Sequence, residues 1–420
     1  MALIQCPECG GKMSDTLDAC PHCGYPLPAR TAARRCPECG SEQPDDAQTC
    51  SVCGFPLAEQ ASPAVQQAAP QAAAPAPKQS ALTGFLNALT GEKLEKTYIT
   101  LWEMVKAGTK KYNYEERTEQ MDRIFVCGTP DTTPKLCDIR TDKIVVWAVW
   151  YVLLAFYIAT FGMEIGYYIL QNRLFIPGMI VYGAFGVPFS CLLLFCEINL
   201  FRSIPFYRVL IYFFSGAFLS LFVALIGFAL IPQAGAGESF LPALLVGLIE
   251  ETGKAAVAVF FLIKEKRAKS ILEGLLIGAA VGAGFAAFET MGYILINGYL
   301  GTGVDMMEEV MSLRAYLAPG GHVAWAALEG AGFMAARGFA QKGTVHHVLT
   351  KPFLVPFSIS VLLHGIWDFS LIPIAYVQPV LCMIAVWIVV MYYINLGLQQ
   401  IDKEKQKEAA QQTSTPQNAS

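Results

Sequence analysis

The apolar residues of this chain are concentrated after residue 143, where they form eight long runs. The runs cover residues 144–170, 176–200, 206–231, 241–263, 271–297, 318–340, 353–373 and 377–397. Each run is long enough for a helix to cross a hydrocarbon core of about 30 Å. The pattern therefore predicts an all-α polytopic membrane protein with about eight transmembrane helices.

The amino-acid composition supports the membrane-protein class and indicates which binding partners to expect. The 420 residues are 54% hydrophobic and only 15% charged, and the mean hydropathy is +0.42. Soluble proteins rarely combine such values, so the lipid bilayer is the expected surrounding of the apolar part. The net charge of −4 comes from both signs spread along the chain. No nucleic acid is therefore expected as a partner.

The connections between the predicted spans differ in their number of Lys and Arg residues, and this difference predicts the orientation of the chain in the membrane. Residues 264–269 include four Lys or Arg residues, whereas residues 233–239 include none. Cytoplasmic loops carry the excess of basic residues, so we expect both termini in the cytoplasm. An even number of spans agrees with this orientation. The acidic segment 298–317 is then external, and we expect an ordinary long loop there, with a lid or a substrate-contacting segment as the alternative.

The first 53 residues contain eight of the 13 cysteines, arranged as a repeat with a period of 30. Each repeat has two Cys-x-x-Cys pairs, and each pair supplies two thiolates on a tight turn. Two pairs complete a tetrahedral Zn²⁺ site. The predicted ligands are Cys6, Cys9, Cys20 and Cys23 for one structural zinc, and Cys36, Cys39, Cys50 and Cys53 for the second.

Both repeats resemble the zinc-ribbon family through their Cys-Pro-x-Cys-Gly knuckles, from which Cys50-Ser-Val-Cys53-Gly departs slightly. A four-cysteine site leaves no position for a reacting water, so these zincs are not expected to be catalytic. A cytosolic protein partner and a purely structural role both remain open. The predicted domains are 1–28 (zinc ribbon 1), 29–57 (zinc ribbon 2), 58–82 (Ala/Pro/Gln-rich linker), 83–143 (cytosolic juxtamembrane segment, with an amphipathic helix at 92–106), 144–398 (transmembrane domain) and 399–420 (cytosolic tail).

Ionisable side chains interrupt several of the apolar runs. They occur in Glu250-Glu251-Thr-Gly-Lys254, Phe285-Ala-Ala-Phe-Glu289 and His364-Gly-Ile-Trp-Asp368. A charge at the bilayer centre costs about 2.5–3.5 kcal/mol on the insertion scale, so these groups must face the interior of the bundle. A helix rises about 1.5 Å per residue, which places these groups and His322 at similar depths in the outer half of the bilayer.

Spacing within each helix predicts which groups share a face. Residues four apart lie on one face, so Glu250 can pair with Lys254, and His364 with Asp368. Glu251 projects in another direction and is expected to be free to hold a water, a metal or another carboxylic acid. Small residues at 274, 278, 282 and 286 form one stripe and predict close helix packing.

The three motifs, EExxK at 250–254, FxxxE at 285–289 and HxxxD at 364–368, resemble those of the PrsW family of bacterial intramembrane proteases. The resemblance covers about residues 200–395, and His322 is similar to a histidine found between the second and third motifs. The related CAAX prenyl protease and bacteriocin-processing group uses EExxxR, FxxxH and HxxxN/D instead. Glu289 and Lys254 therefore favour the PrsW branch.

The resemblance implies hydrolysis of peptide bonds in membrane-anchored proteins, with an anti-sigma factor as the best-known class of substrate. It also implies residence in the bacterial cytoplasmic membrane. The expected catalytic residues are Glu250, Glu251, Lys254, Glu289, His322, His364 and Asp368.

Two mechanisms remain open at this point. In one, Glu251 or Glu250 activates water as a general base while the histidines stabilise the oxyanion. In the other, a catalytic divalent metal is held by Glu289, His322, His364 and Asp368.

Two further functions would also place ionisable groups or zinc ribbons in a membrane protein. A proton- or ion-coupled transporter uses intramembrane carboxylates, although neither an inverted repeat nor paired broken helices is evident in the sequence. A membrane scaffold acting through its zinc ribbons would leave the buried carboxylates unexplained.

Overall fold

The computed structural model describes two compact units, Met1–Ala76 and Pro77–Ser420. The described residues are 3–5, 12–14, 34–35, 41–43, 49–53, 80–110, 113–142, 144–234, 239–369, 371–372, 374 and 376–414.

The first unit contains two short antiparallel hairpins. Strand β1 (Leu3–Gln5) pairs with β2 (Lys12–Ser14), and β3 (Arg34–Arg35) pairs with β4 (Glu42–Gln43). Cys50 is buried and Cys53 is exposed. The backbone N–H of Val52 donates to Cys50 Sγ at 3.4 Å, so a turn closes around this thiol. The other six predicted zinc ligands lie outside the described residues.

The second unit is helical. In chain order its α-helices are α1 (Ala81–Thr90), α2 (Leu101–Thr109), α3 (Tyr114–Phe125), α4 (Ala148–Leu170), α5 (Ile176–Ile198), α6 (Phe206–Ser215), α7 (Leu221–Leu230), α8 (Phe240–Lys264), α9 (Ile271–Tyr293), α10 (Val304–Leu317), α11 (His322–Arg337), α12 (Lys351–Asp368) and α13 (Val377–Ser414). A π-turn at Gly216–Ser220 joins α6 to α7, and another at Ile294–Tyr299 follows α9.

Helices occupy all eight predicted membrane segments, and the protein is a multi-pass membrane protein. Among the described residues, five helices are long and apolar enough to cross a membrane: Ala148–Leu170, Arg173–Ile198, Phe206–Leu230, Ile271–Ile296 and Val377–Gln411. Helix α8 carries three charges near its middle, and α11 has only 16 residues. The predicted count of eight spans is therefore not confirmed.

Helix α9 lies at the centre of the second unit. Every residue from Ile271 to Ala287 is buried. A Cβ added at Gly278 would lie 2.0 Å from the carbonyl oxygen of Ala326, and one at Gly282 would lie 2.2 Å from that of His322. The predicted close packing of the small-residue stripe is confirmed, with α11 as the partner. This contact sets the position of His322.

The residues before α2 lie against the middle of α13. Asn395 Oδ1 accepts from the backbone N–H of Tyr98 at 2.5 Å and of Ile99 at 3.0 Å. Gln399 Oε1 accepts from the backbone N–H of Glu95 at 2.6 Å. These buried amides bind residues 95–99, called the strap below, to residues 395–399 of α13.

Two sequence predictions of local structure are wrong. The helix expected at 92–106 begins only at Leu101, where the hydroxyl of Thr100 and the carboxylate of Glu103 form a capping box. Residues before it give their backbone groups to α13 instead of to a helix. The segment 298–317, expected to be an ordinary loop, contains α10, which packs its Met307 and Met311 against α5 and the turn after α9.

Candidate functional site

Helices α8, α9, α11 and α12 meet around a cavity of about 860 Å³. The start of α8, the end of α12 and the last turns of α10 also line the cavity. The cavity therefore lies at the end of the bundle where α8 begins and α12 ends. Its wall includes the predicted site residues Glu250, Glu289, His322, His364 and Asp368. The tertiary structure thus brings together side chains that are up to 118 positions apart in the chain (368 − 250).

Glu250 and Glu251 follow each other on α8 and have different surroundings. Glu250 faces the cavity, and among the described residues its Oε2 has no hydrogen-bond partner. Glu251 is fully buried behind it, and its Oε1 lies 2.7 Å from Lys254 Nζ. Lys254 Nζ is 3.8 Å from Glu250 Oε2. The predicted pairing of Glu250 with Lys254 is therefore present at the longer distance, whereas the prediction that Glu251 is free was wrong, because Glu251 is the closer partner of the ammonium group.

His364 connects the two glutamates of α8. Its Nδ1 lies 2.6 Å from Glu251 Oε1, and its Nε2 lies 3.6 Å from Glu250 Oε2 and 3.4 Å from Asp368 Oδ2. The contact with Asp368 confirms that these two residues share a face of α12. A carboxylate on Nδ1 holds the imidazole in one orientation, so Nε2 is aimed at the cavity.

His322 begins α11 and lies opposite His364, with 5.2 Å between the ring centroids. Its Nε2 is 2.9 Å from Glu289 Oε2, and its Nδ1 is 2.7 Å from Lys254 Nζ and 4.0 Å from Glu250 Oε2. Glu289 thus orients the second imidazole as Glu251 orients the first. The two rings and Glu250 form the innermost group of the site.

The outer side of the site includes an arginine from α10, the helix in the segment that the sequence analysis expected to be a loop. Arg314 on α10 forms an ion pair with Glu289, and its Nε donates to Thr290 Oγ1 at 3.0 Å. The guanidinium also lies 4.3 Å from the ring centroid of Tyr293. The sequence analysis missed Arg314 because α10 was not predicted to pack on the site.

Aromatic rings form the inner wall of the cavity. The ring of Trp325 stacks on that of His364 with centroids 4.6 Å apart and planes 24° apart. Phe285 lies below Lys254, whose Nζ is 4.3 Å from the ring centroid. These rings limit the rotation of the imidazole and of the ammonium group, and they place both beside low-polarity surfaces.

The innermost group has the composition and spacing of a divalent-metal site. One ligand atom each of Glu250, His322 and His364 lies within 4.8 Å of the others. The Glu250 oxygen that lacks a hydrogen bond is the atom between the two imidazoles. Each imidazole also has its other nitrogen on a carboxylate, as metal-binding histidines usually do. These residues fit a metal once Lys254 releases His322 Nδ1 and keeps its bond to Glu251.

A fourth glutamate near the site was not among the predicted residues. Glu329 lies on α11 with no exposed surface, and its carboxyl group interacts electrostatically with the carboxylate of Glu251 and the ammonium group of Lys254. The signal was present in the sequence as an acid within the apolar run 318–340, but it falls outside the three motifs.

Comparison with known proteins identifies two regions of the chain. Residues 205–394 match the profile of the family described as "PrsW family intramembrane metalloprotease", and residues 6–54 match that of the double zinc ribbon. The first match contains every residue of the site. The second contains all eight predicted zinc ligands.

Curated relatives agree with the first match. The chain is 29% identical over 197 residues to a protein named Protease PrsW from Clostridioides difficile, covering 46% of this chain and 78% of the relative. It is 25% identical over 194 residues to Protease PrsW from Oceanobacillus iheyensis, covering 46% and 83%. No solved structure matches the chain.

Proposed function

We propose that the cavity between α8, α9, α11 and α12 is the active site of an intramembrane protease and that a membrane-protein substrate is cleaved there. The premise is that residues 205–394 match the PrsW family of intramembrane proteases. The observation that carries the proposal is the convergence of Glu250, His322 and His364 on one point of the cavity wall.

Glu250 is the acid–base group of the proposed reaction. Its unpaired Oε2 faces the cavity and accepts a proton from water as the water oxygen attacks the peptide carbonyl carbon. The same carboxyl group then returns that proton to the leaving nitrogen as the C–N bond breaks. Glu251 has no such freedom, because Lys254 and His364 share its Oε1.

The two histidines orient the reacting groups. His364 is fixed by Glu251 and His322 by Glu289, so both present one nitrogen toward Glu250. Groups held in this way stabilise the oxygen on which negative charge develops. Asp368 and Arg314 complete the outer edge of the site, and Lys254 compensates the charge of Glu251.

The family description also implies a metal, and the residues fit one. Glu250, His322 and His364 would hold it, and the bound ion would lower the pKa of a water and polarise the substrate carbonyl. Glu251 and Glu289 would keep the imidazoles in the binding tautomer in that case. Two structural zinc ions are proposed for the eight cysteines of residues 6–54, which match the double zinc ribbon. A cytosolic protein partner of the ribbons is proposed as well, with a purely structural role as the alternative.

The proposed orientation has both termini in the cytoplasm and the cavity in the outer half of the bilayer. It is supported by the strap, which holds residues 95–99 against residues 395–399 of α13. The backbone N–H of Ile271 also donates to Gln400 there, at the end of the bundle away from the cavity. A substrate helix would then be cut near its external end. The proposed substrate class is a membrane-anchored anti-sigma factor.

The test is cleavage of a tagged single-pass anti-sigma factor in proteoliposomes. We expect Glu250→Ala, Glu251→Ala and His364→Ala each to abolish cleavage, and Glu309→Ala on the exposed face of α10 to retain it. Unchanged cleavage in the first three variants would contradict the proposed site. Ion flux without cleavage would favour a transporter instead.

A chelator series on the same vesicles separates the two routes. A variant lacking residues 1–57 removes the ribbon zincs, so any remaining loss of cleavage on chelation reports a metal at the membrane site. Full resistance of that variant to chelators would support the route in which Glu250 acts without a metal.

A further inference from the structure

A second cavity, which we call the side groove, lies between α1, α2, α4, α5 and α13, away from the candidate site. It has a volume of about 690 Å³. The face of α5 that carries Val187, Ser190 and Cys191 forms its floor, and α4 and α13 form its two sides. The strap, α1 and α2 border one end, and Pro319 borders the other.

The lining of the side groove is apolar, and its most buried polar side chains already have partners. Ser190 Oγ donates to the carbonyl oxygen of Gly186 at 2.7 Å. The hydroxyl of Tyr392 donates to Asn87 Oδ1 at 2.8 Å, and Asn395 binds the strap. Among the described residues, no charged side chain lines the groove. An occupant is therefore stabilised by contact with apolar surface and needs no charge of its own there.

The side groove is continuous with surface that faces lipid. Trp150 on α4 and Ile384 on α13 line the groove, and both are exposed. Both helices are long and apolar enough to cross a membrane. The apolar molecules that reach the groove from this side are lipid chains and the transmembrane helices of other proteins.

The size of the side groove separates these two occupants. Its lining residues on α13 run from Met383 to Asn395, which corresponds to about 18 Å along a helix axis. Spread over that length, the volume of about 690 Å³ gives a mean width of about 7 Å. An α-helix with its side chains is about 10–12 Å wide, so it is too wide to enter, whereas a hydrocarbon chain is narrower. The length is close to half of a hydrocarbon core of about 30 Å, as one leaflet requires.

The end of the side groove at α2 has the features of a membrane–water interface. Leu101, Met104 and Val105 line the groove. Trp102 and Lys106 are exposed beside them, with Lys106 Nζ 5.1 Å from the ring centroid of Trp102. Trp and Lys are favoured where the hydrocarbon meets the headgroups, because each combines an apolar body with a polar end. This is the end at which a headgroup belongs.

We propose that the side groove is a phospholipid site, in which one acyl chain lies along α5 between α4 and α13 and the headgroup lies beside α2. The far end of the chain lies at Pro319, whose carbonyl oxygen accepts from Trp387 Nε1 at 2.9 Å. The lipid comes from the leaflet on the side of the strap. The site is separate from the cavity of the proposed reaction, and it does not rest on that reaction.

The test is native mass spectrometry of the full-length protein released by detergent from phosphatidylglycerol vesicles. Wild type should retain one phospholipid per chain. Val187→Phe places a ring on the groove floor, and we expect the retained fraction to fall by about fivefold or more. The matched control is Val181→Phe, the same change at an exposed position of α5 that does not line the groove, and it should retain lipid as wild type does.

A second pair on α13 keeps the test decisive if the floor variant does not fold. Ile384 and Leu381 are 52% and 51% exposed, and only Ile384 lines the side groove. Neither Ile384→Trp nor Leu381→Trp should disturb the core. We expect Ile384→Trp to lose the phospholipid and Leu381→Trp to keep it.

Three results would overturn the proposal. Wild type that retains no phospholipid would show that the groove does not hold one. Equal retention by the two members of each pair would place the retained lipid elsewhere on the membrane-facing surface. Unchanged retention in Val187→Phe together with loss of substrate cleavage would assign the groove to a substrate helix instead.

Discussion

Buried glutamates occur in two regions of the helical unit, and their surroundings differ. Glu197 at the end of α5 accepts backbone N–H groups from Trp147 and Ala148, both at 2.8 Å, and so satisfies the start of α4. Glu273 accepts from the backbone N–H of Ser270 at 2.9 Å at the start of α9. In the cavity region, Glu250 and Glu329 have carboxyl oxygens without any partner among the described residues.

The difference separates structural acids from acids available for chemistry. A carboxylate that accepts several N–H groups at a helix start replaces the hydrogen bonds that the helix lacks there and stabilises the fold. A buried oxygen without a donor does not stabilise the fold, and it retains a lone pair for water, a proton or a metal. Burial alone therefore does not identify the site, whereas incomplete hydrogen bonding of a buried acid at the cavity does.

The largest expected effect is that of Glu250→Gln on cleavage. Removing the acid–base group should lower kcat by about 10²- to 10⁴-fold, because the amide cannot accept the proton of the water. The measurement is cleavage in proteoliposomes, with the unfolding temperature followed in parallel. A variant that cleaves at the wild-type rate would place Glu250 among the structural acids.

The same substitution in the other region should have the opposite outcome. In Glu197→Gln an amide N–H₂ would face the backbone N–H groups that start α4, and the lost acceptor should cost about 1–3 kcal/mol of stability. We expect a lower unfolding temperature and an unchanged kcat for the folded fraction. A larger loss of stability in Glu250→Gln than in Glu197→Gln would break the distinction.

A smaller effect is expected from the arginine that faces the site. Arg314→Gln removes the ion-pair partner of Glu289, the residue that orients His322. A partly exposed ion pair is worth about 1 kcal/mol, so kcat/KM should fall by roughly fivefold. The matched control is Arg208→Gln, which removes a partly exposed partner of Glu265 at the other end of α8. Equal kcat/KM values for the two variants would show that Arg314 has no special relation to the site.

Sequence reasoning succeeded where a single helix determines the answer. The helical class of the membrane part followed from the apolar runs, and the shared face of His364 and Asp368 from their spacing of four. The small-residue stripe on α9 likewise predicted close packing, although not its partner α11. The profile matches bear out the resemblance of residues 205–394 to the PrsW family and of residues 6–54 to the double zinc ribbon.

It failed where contacts between elements compete with local preference. Glu251 was expected to be free, yet Lys254 lies 2.7 Å from it and only 3.8 Å from the predicted partner Glu250, because His322 and Glu251 draw the ammonium to the inner side of α8. The helix expected at 92–106 is shortened by Asn395 and Gln399, which occupy the backbone groups before α2. Neither amide could be assigned to that segment from periodicity.

The amino-acid sequence by itself determined that ionisable groups lie within apolar helices, since charge and hydropathy depend on composition alone. It also determined their faces within each helix, because the helical repeat is constant. Only the tertiary structure decided which oxygen of which glutamate is left without a donor. Hydrogen bonding among α8, α11 and α12 depends on distances of a few tenths of an ångström between helices, and these distances are set by the packing of all of them together.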